Sequence, residues 1–313
     1  MLCQQNHNPN DYYICVAMTL KNTTHQTKNL KLIECPRDAM QGWKTFIPTK
    51  KKIEYINSLL KVGFDAIDFG SFVSPKAIPQ MADTAEVVRS LETGAGSAKL
   101  LAIIANQRGA EEASVYDAIS YLGFPFSISE TFQQRNTNSS IEESLIRVEE
   151  IQSLCVKHNK KLVVYISMAF GNPYGDVWNP EIAINWCKKL HGMGINLLPL
   201  ADTIGCSTKE NITELFSALI PELKNVQFGA HLHSTRPTAL EKIDAAFKSG
   251  CTHFDVAAHG FGGCPMAKDE LTGNLATEDL EKYADINKID LGLNITELNK
   301  SYEESWKIFN VYH

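Results

Sequence analysis

Two histidines one residue apart, His231-Leu232-His233, close an apolar run over residues 226–230. Side chains alternate along a strand, so both imidazoles would project to the same side and form a clip for a cation. A second apolar run, residues 30–35, leads straight into Pro36-Arg37-Asp38 and then Gln41, which places a guanidinium and a carboxylate where the apolar pattern stops. A third, Thr252 to Ala257, is followed by Gly260-Phe261-Gly262-Gly263-Cys264-Pro265 and then Gly273-Asn274. If the three run ends meet in space, Asp38, His231, His233 and Asn274 offer two oxygens and two nitrogens to one ion. Four such ligands leave room for water or substrate on an octahedral ion. The oxygens lean towards Mg or Mn, while imidazole suits zinc or iron as well.

Whether they meet depends on the elements that carry them. Apolar runs recur at 30–35, 64–69, 100–105, 124–129, 162–168, 195–201, 226–230 and 252–257. Between them lie helical patterns such as 50–62, 141–158, 180–191 and 238–248, with Ser139 and Ser140 as caps before Glu142 and Glu143. Strands alternating with helices imply parallel pairing through right-handed crossovers. Eight units of roughly 30 residues fit the ~250-residue (β/α)8 TIM barrel, in which chemistry sits at the carboxyl ends of the strands. The competing architecture, a doubly wound open sheet, finds no GxGxxG or P-loop pattern in its favour. In a closed barrel the eighth strand pairs with the first, so the ends of strands seven, eight and one are neighbours. An HxH pair or an Arg-Asp dipeptide is commonplace alone. Their convergence on one pocket is what carries the reading.

The chain has 313 residues, 44% of them hydrophobic, enough for a sizeable core. With 36 acidic against 30 basic residues the net charge is -6, which disfavours nucleic acid as a partner. The eight cysteines show no CxxC pair, and no run is long enough to span a bilayer. A soluble, cytoplasmic protein with no membrane partner is expected. Residues 1–28 read as a flexible leader, 29–286 as the catalytic barrel and 287–313 as a helical extension. That extension holds a helix at 297–309, packed on the barrel or on a neighbouring subunit of a homo-oligomer.

Six segments in register over residues 30 to 298 resemble the 3-hydroxy-3-methylglutaryl-CoA lyase family. They are Glu34-Cys35-Pro36-Arg37-Asp38-Ala39-Met40-Gln41, Ser71-Phe72-Val73-Ser74-Pro75-Lys76, Asp202-Thr203-Ile204-Gly205, His231-Leu232-His233, Gly262-Gly263-Cys264-Pro265 and Gly273-Asn274-Leu275-Ala276-Thr277-Glu278-Asp279. The resemblance implies metal-dependent cleavage of an acyl-CoA into acetyl-CoA and acetoacetate, chemistry of leucine catabolism and ketone body formation. It implies that Asp38, His231, His233 and Asn274 hold the divalent cation. Arg37 would face the thioester oxygen, and Cys264 would supply the proton that quenches the enolate. A thiol with a reference pKa of about 8.5 is mostly protonated at neutral pH and suits that task. Asp68, ending strand two, and Asp202, ending strand six, fall at family carboxylate positions that orient ligands or relay protons; His231 counts with Arg37, Cys264 and Asp68 among the catalytic groups. Gln41, Ser71, Tyr165 and Asp202 would line the pocket and bind substrate, and Lys44 and Lys76 are candidates for CoA contacts.

The chain departs from the family pattern at several places. Ala39-Met40-Gln41-Gly42-Trp43 follows Asp38 where Gly-Leu-Gln-Asn-Glu is usual, Ser234 replaces an Asp, and Pro199 replaces a small polar residue. Position 68 is more usually Glu. His259 is an added imidazole, expected as a partly exposed loop residue. Two rivals remain. One is a related barrel that condenses acetyl-CoA with a 2-oxo acid, as isopropylmalate and homocitrate synthases do. The other is a noncatalytic acyl-CoA-binding relative. The Gly-Gly-Cys-Pro segment argues against the first, and retention of the ligands, Arg37 and Cys264 against the second.

Overall fold

A computed structural model describes residues 30–263 and 272–312 of the chain. The expected leader and Cys264 lie outside the described residues. All eight expected strands form: β1 Lys31–Glu34, β2 Ala66–Ser71, β3 Lys99–Ile103, β4 Ile119–Ser127, β5 Lys161–Ser167, β6 Leu197–Ala201, β7 Gln227–His231 and β8 His253–Val256. They pair in parallel in chain order, and β8 returns to β1 with Leu32 opposite Phe254 and Ile33 opposite Asp255, which closes the barrel. Around it lie α1 Pro36–Gln41, α2 Thr49–Leu59, α3 Thr84–Arg89, α4 Gln107–Ser114, α5 Glu130–Thr137, α6 Ile141–Lys157, α7 Pro180–Gly192, α8 Lys209–Glu222, α9 Arg236–Lys248, α10 Thr277–Asn287 and α11 Ile295–Tyr312.

Local chemistry sets several of the boundaries. Ser140 Oγ accepts from the Glu143 backbone N–H at 3.1 Å and Glu143 Oε2 accepts from the Ser140 N–H at 2.8 Å, a capping box that contributes about 1 kcal/mol to α6. Ser139, the other expected cap, is buried and shares a 2.7 Å hydrogen bond with Ser144 instead. Helix α9 begins at Arg236, ahead of the expected Thr238, because Pro237 sits in the first turn, where no N–H is needed. Strand β4 begins at Ile119, well ahead of the expected Phe124; Tyr121, opposite both Leu101 and Lys161, belongs to the ladder. Strand β2 extends to Ser71 after a register shift between Asp68 and Gly70. Asp68 therefore lies inside the strand and does not end it. Gly70 permits the shift, since a Cβ there would come within 2.6 Å of Thr84 Cγ2.

Alternation along the strands divides the apolar residues into two bodies. Ile67, Phe124, Val164 and Phe254 face outward into the main core beneath the helices, while Leu101, Ile103, Val163 and Tyr165 form a small cluster on the inward side. Cys155, Cys187 and Cys251 are buried, as small hydrophobes should be. Helix α11 packs along α2, with Leu298, Ile308 and Phe309 buried, while Trp306 stays 42% exposed. Among the described residues no helix is long and apolar enough to cross a membrane.

Candidate active site

A cavity of about 500 Å³ opens at the carboxyl ends of the strands. Its polar floor is Arg37, Asp38, His231 and His233; its wall carries Val73, Ile103, Pro125, Phe132 and Tyr165; Lys44, Asn136 and Thr137 stand on its lining as well. The three run ends singled out in the sequence therefore do meet. Ligand atoms of Asp38, His231 and His233 lie within 4.8 Å of one another.

Each of these side chains is held by partners, and each histidine keeps one ring nitrogen for the pocket. His231 Nδ1 lies 3.0 Å from Asp255 Oδ2, and His233 Nδ1 lies 3.0 Å from the Thr272 carbonyl. Carboxylate and carbonyl oxygens only accept, so both Nδ1 atoms carry the hydrogen and both Nε2 atoms could serve as metal ligands. Burial, reinforced by His231, pulls His233 down to about 4, which keeps it neutral at physiological pH. For His231 burial works in the same direction, but the Asp255 hydrogen bond and charge, with Asp38 beyond, raise its pKa. Asp38 Oδ1 accepts from Arg37 Nη1 at 2.8 Å and from Gln41 Nε2 at 2.6 Å, while Oδ2 accepts from Asn274 Nδ2 at 2.8 Å. Burial opposes its charge, yet Arg37 and the two histidines hold the Asp38 carboxyl below its ordinary range.

The donor set fits a divalent cation. Asn274 gives its second amide hydrogen to the Phe261 carbonyl at 2.9 Å, which leaves Oδ1 as the atom free to coordinate. Two imidazole nitrogens, a carboxylate and an amide oxygen could together offer an open, oxygen-containing site of the kind magnesium and manganese accept. A second trio, Cys35, His231 and Asp255, also lies within 4.8 Å. There burial, with Asp255, Asp68 and Asp38 around it, pushes the Cys35 thiol well up, so it stays protonated and is the poorer ligand.

Arg37 lies side-on to Asp68, with Nε 3.0 Å and Nη2 2.5 Å from Oδ2. Burial works against its charge, but Asp68 and Asp38 keep it protonated. These contacts leave one N–H on Nη1 and one on Nη2 for a substrate oxygen. Tyr165 packs edge-on against His231 with ring centroids 5.6 Å apart. Three of the expected residues sit elsewhere. Ser71 is turned to the Ile103 carbonyl at 3.2 Å and accepts from the Val73 N–H. Lys76 is exposed, away from the cavity lining. Asp202 is buried against Lys242 Nζ at 2.9 Å and Ser207 Oγ at 2.5 Å. The same Lys242 donates to the His233 carbonyl at 2.8 Å, so it ties Asp202 to the backbone of His233.

Asp255, Lys242 and the Thr272 carbonyl were missed by sequence reasoning. Two of them leave a signal. Asp255 is an acid inside an apolar strand, with inward parity. Lys242 falls among Ala239, Ile243 and Ala246, at the i, i+3, i+4, i+7 spacing of a buried helix face. The Thr272 carbonyl leaves none, because any residue supplies one. His259, expected as a partly exposed loop residue, is firmly held: its Nδ1 lies 2.5 Å from Glu278 Oε1 and its ring stacks on Trp306 at 4.1 Å. Among the departures, Trp43 Nε1 donates to the Ala39 carbonyl at 2.7 Å, and Ser234 is buried with its N–H on the Gly273 carbonyl at 3.0 Å. Pro199 shares the inward side of β6 with Ala201.

Residues 30–303 match the HMGL-like family model. The chain is 34% identical over 282 residues to the cytoplasmic 3-hydroxy-3-methylglutaryl-CoA lyase of Mus musculus, covering 90% of this chain and 81% of that one. It is 35% identical over 274 residues to the mitochondrial hydroxymethylglutaryl-CoA lyase of the same species, covering 87% and 83%. Among solved structures it resembles an HMG-CoA lyase of Acinetobacter baumannii in complex with coenzyme A and 3-methylmalate, with a TM-score of 0.85, 29% identity, and 92% and 93% of the two chains covered.

Proposed function

The chain belongs to the HMGL-like family, and we propose from that premise that it cleaves 3-hydroxy-3-methylglutaryl-CoA to acetyl-CoA and acetoacetate, with a divalent cation held by Asp38, His231, His233 and Asn274. The observation that carries this reading is the meeting of Asp38, His231 and His233 within 4.8 Å, both histidines already committed through Nδ1. When bound, the cation supplies a Lewis acid that favours ionisation of the substrate's tertiary hydroxyl. Magnesium or manganese suits the oxygen donors best.

The protein's own groups do the rest. The spare N–H groups of Arg37 stabilise the negative charge that grows on the thioester oxygen as the carbon–carbon bond breaks. Asp68 fixes the plane of that guanidinium and keeps it charged. Asp255 and Thr272 fix which nitrogen each histidine presents. Tyr165, Ile103, Pro125 and Val73 close an apolar wall around the acyl chain and exclude water. Lys44, on the cavity lining, meets an anionic part of the CoA in this reading. Cys264 holds the proton that the departing acetyl carbon takes up, and the proton released by the tertiary hydroxyl restores the thiol. Free thiols at Cys35, Cys155, Cys187, Cys206 and Cys251 suit a reducing compartment, and we place the enzyme in the cytoplasm.

The test is to strip the purified protein with a chelator, restore magnesium or manganese, and assay acetoacetate from 3-hydroxy-3-methylglutaryl-CoA. Activity that vanishes on stripping, returns with the cation and is lost in His233→Ala is the expected result. Full activity after exhaustive chelation removes the cation from the mechanism. No acetoacetate under any loading leaves a condensing enzyme or a noncatalytic binder.

A further inference from the structure

We propose that the last helix, α11, sets the orientation of Asn274 through the segment 259–263, making Trp306 and His259 positioning residues for the cation; this rests on the reading of Asn274 as a ligand. Both amide hydrogens of Asn274 are committed, one to Asp38 Oδ2 and the other to the Phe261 carbonyl at 2.9 Å. The direction of its Oδ1 is therefore set by where that carbonyl stands.

The Phe261 backbone has little stiffness of its own. Gly260 and Gly262 flank it with φ of +70° and +99°, conformations natural to glycine. Beside Trp43, whose ring meets that of Phe261 edge-on at 6.0 Å, support comes from side chains of α11. The Phe261 ring lies 4.4 Å from Phe309 and meets Trp306 edge-on at 5.9 Å. Just before it, His259 has φ +62°, a left-handed conformation that a histidine holds only when its surroundings impose it. Glu278 accepts from its backbone N–H at 2.9 Å and pairs with Nδ1, Ser305 Oγ lies 2.9 Å from Nε2, and Trp306 stacks on the ring.

There is also no slack between this segment and the ligands. A Cβ added at Gly262 would come within 2.6 Å of Asn274 Nδ2 and 2.7 Å of the Asp38 carbonyl oxygen. Displacement of the segment thus reaches Asn274 directly. Trp306 is 42% exposed, so its stack on His259 is separable from the buried packing of α11 at Leu298 and Phe309.

The decisive measurement is the affinity of the full chain for Mn2+, read from the electron paramagnetic resonance signal of the free ion, alongside the melting temperature of each variant. Trp306→Ala is expected to bind Mn2+ about tenfold more weakly, the low end of what loss of an outer-shell support costs. Trp306→Phe should restore affinity to within about twofold, since it keeps an aromatic face for His259. His259→Asn retains a residue that tolerates the left-handed backbone but loses the stack, and should weaken binding like Trp306→Ala; it decides alone if Trp306→Ala does not fold. Leu298→Ala should lower the melting temperature and leave the affinity unchanged. Wild-type affinity in Trp306→Ala and His259→Asn overturns the inference, as does an equal loss in Leu298→Ala. A wild-type chain that binds no Mn2+ overturns the cation reading itself, and this inference with it.

Discussion

The side-chain amide of Asn274 donates to Asp38 Oδ2 at 2.8 Å, so two groups assigned to one cation also hold each other without it. Replacing the amide by a carboxylate tests that relationship. In Asn274→Asp two buried carboxyls would face each other at hydrogen-bond distance, where both cannot ionise freely. The cation-free variant should lose about 1–3 kcal/mol from the missing hydrogen bond and the repulsion. Added Mn2+ should raise its melting temperature more than it raises that of the wild type, because a dication neutralises the excess charge. Identical melting curves with and without Mn2+ in both proteins would mean that the two side chains are not coupled through an ion.

What the sequence revealed of this site depended on strand parity. His231 and His233 could be placed on one side because alternation is strict in an extended chain, and closure of β8 onto β1 brought Asp38 to them. Asp68 falls next to the end of its apolar run at Phe69, whereas the real strand passes through a register shift and continues to Ser71. On the sequence alone Asp202 faces substrate. Its partner Lys242 comes from the following helix, and pairings across layers are not encoded in local spacing. The role of His259 was hidden for the same reason, since Glu278 and Trp306 reach it from two later helices.

The Asp202–Lys242 pair makes a second prediction. Both side chains are almost fully buried, 0% and 6% exposed, and Lys242 alone ties Asp202 to the carbonyl of His233. Lys242→Met strands the carboxylate and should cost about 3–5 kcal/mol, whereas replacing both partners by neutral groups costs much less. Denaturant unfolding of Lys242→Met and of Lys242→Met with Asp202→Asn checks this. A double variant no more stable than the single one would show that the charge of Asp202 is not what Lys242 neutralises.

A third prediction concerns pH. Burial, with Lys31 nearby, pulls His253 down to about 4, and its Nε2 is buried without a hydrogen-bond partner among the described residues. The unfolded chain takes up a proton at this histidine near its ordinary value of about 6.5, while the folded chain does not until near 4. Between those values the unfolded state binds more protons, so His253 destabilises the fold as pH falls and has no such effect above about 7. Its contribution should be about 2 kcal/mol at pH 5. Unfolding free energies of wild type and His253→Gln, measured at pH 7, 6 and 5, should shift in favour of the variant as the pH drops. Parallel pH profiles would exclude His253 as the source.

The last prediction separates the two duties of Arg37. It faces Asp68 with Nε and Nη2 and Asp38 with Nη1, so it neutralises buried carboxylates while keeping N–H groups for substrate. Arg37→Gln should lower kcat by about a hundredfold, on the order of 3 kcal/mol for one donor aimed at developing charge, and change the binding of substrate far less. It should also destabilise the fold, since Asp68 is left without its partner in a site it shares with Asp38. Adding Asp68→Asn removes the stranded charge and should recover much of the stability. Turnover should not recover, because no fork of N–H groups is restored. Arg37→Lys should fare little better than Gln in turnover, as a point charge cannot serve Asp68 and substrate in two directions at once. Single-turnover rates and unfolding free energies on the same three variants decide between the readings. If turnover returns with stability in the double variant, Arg37 is a structural counter-ion to Asp68 and the thioester oxygen must be stabilised by another group.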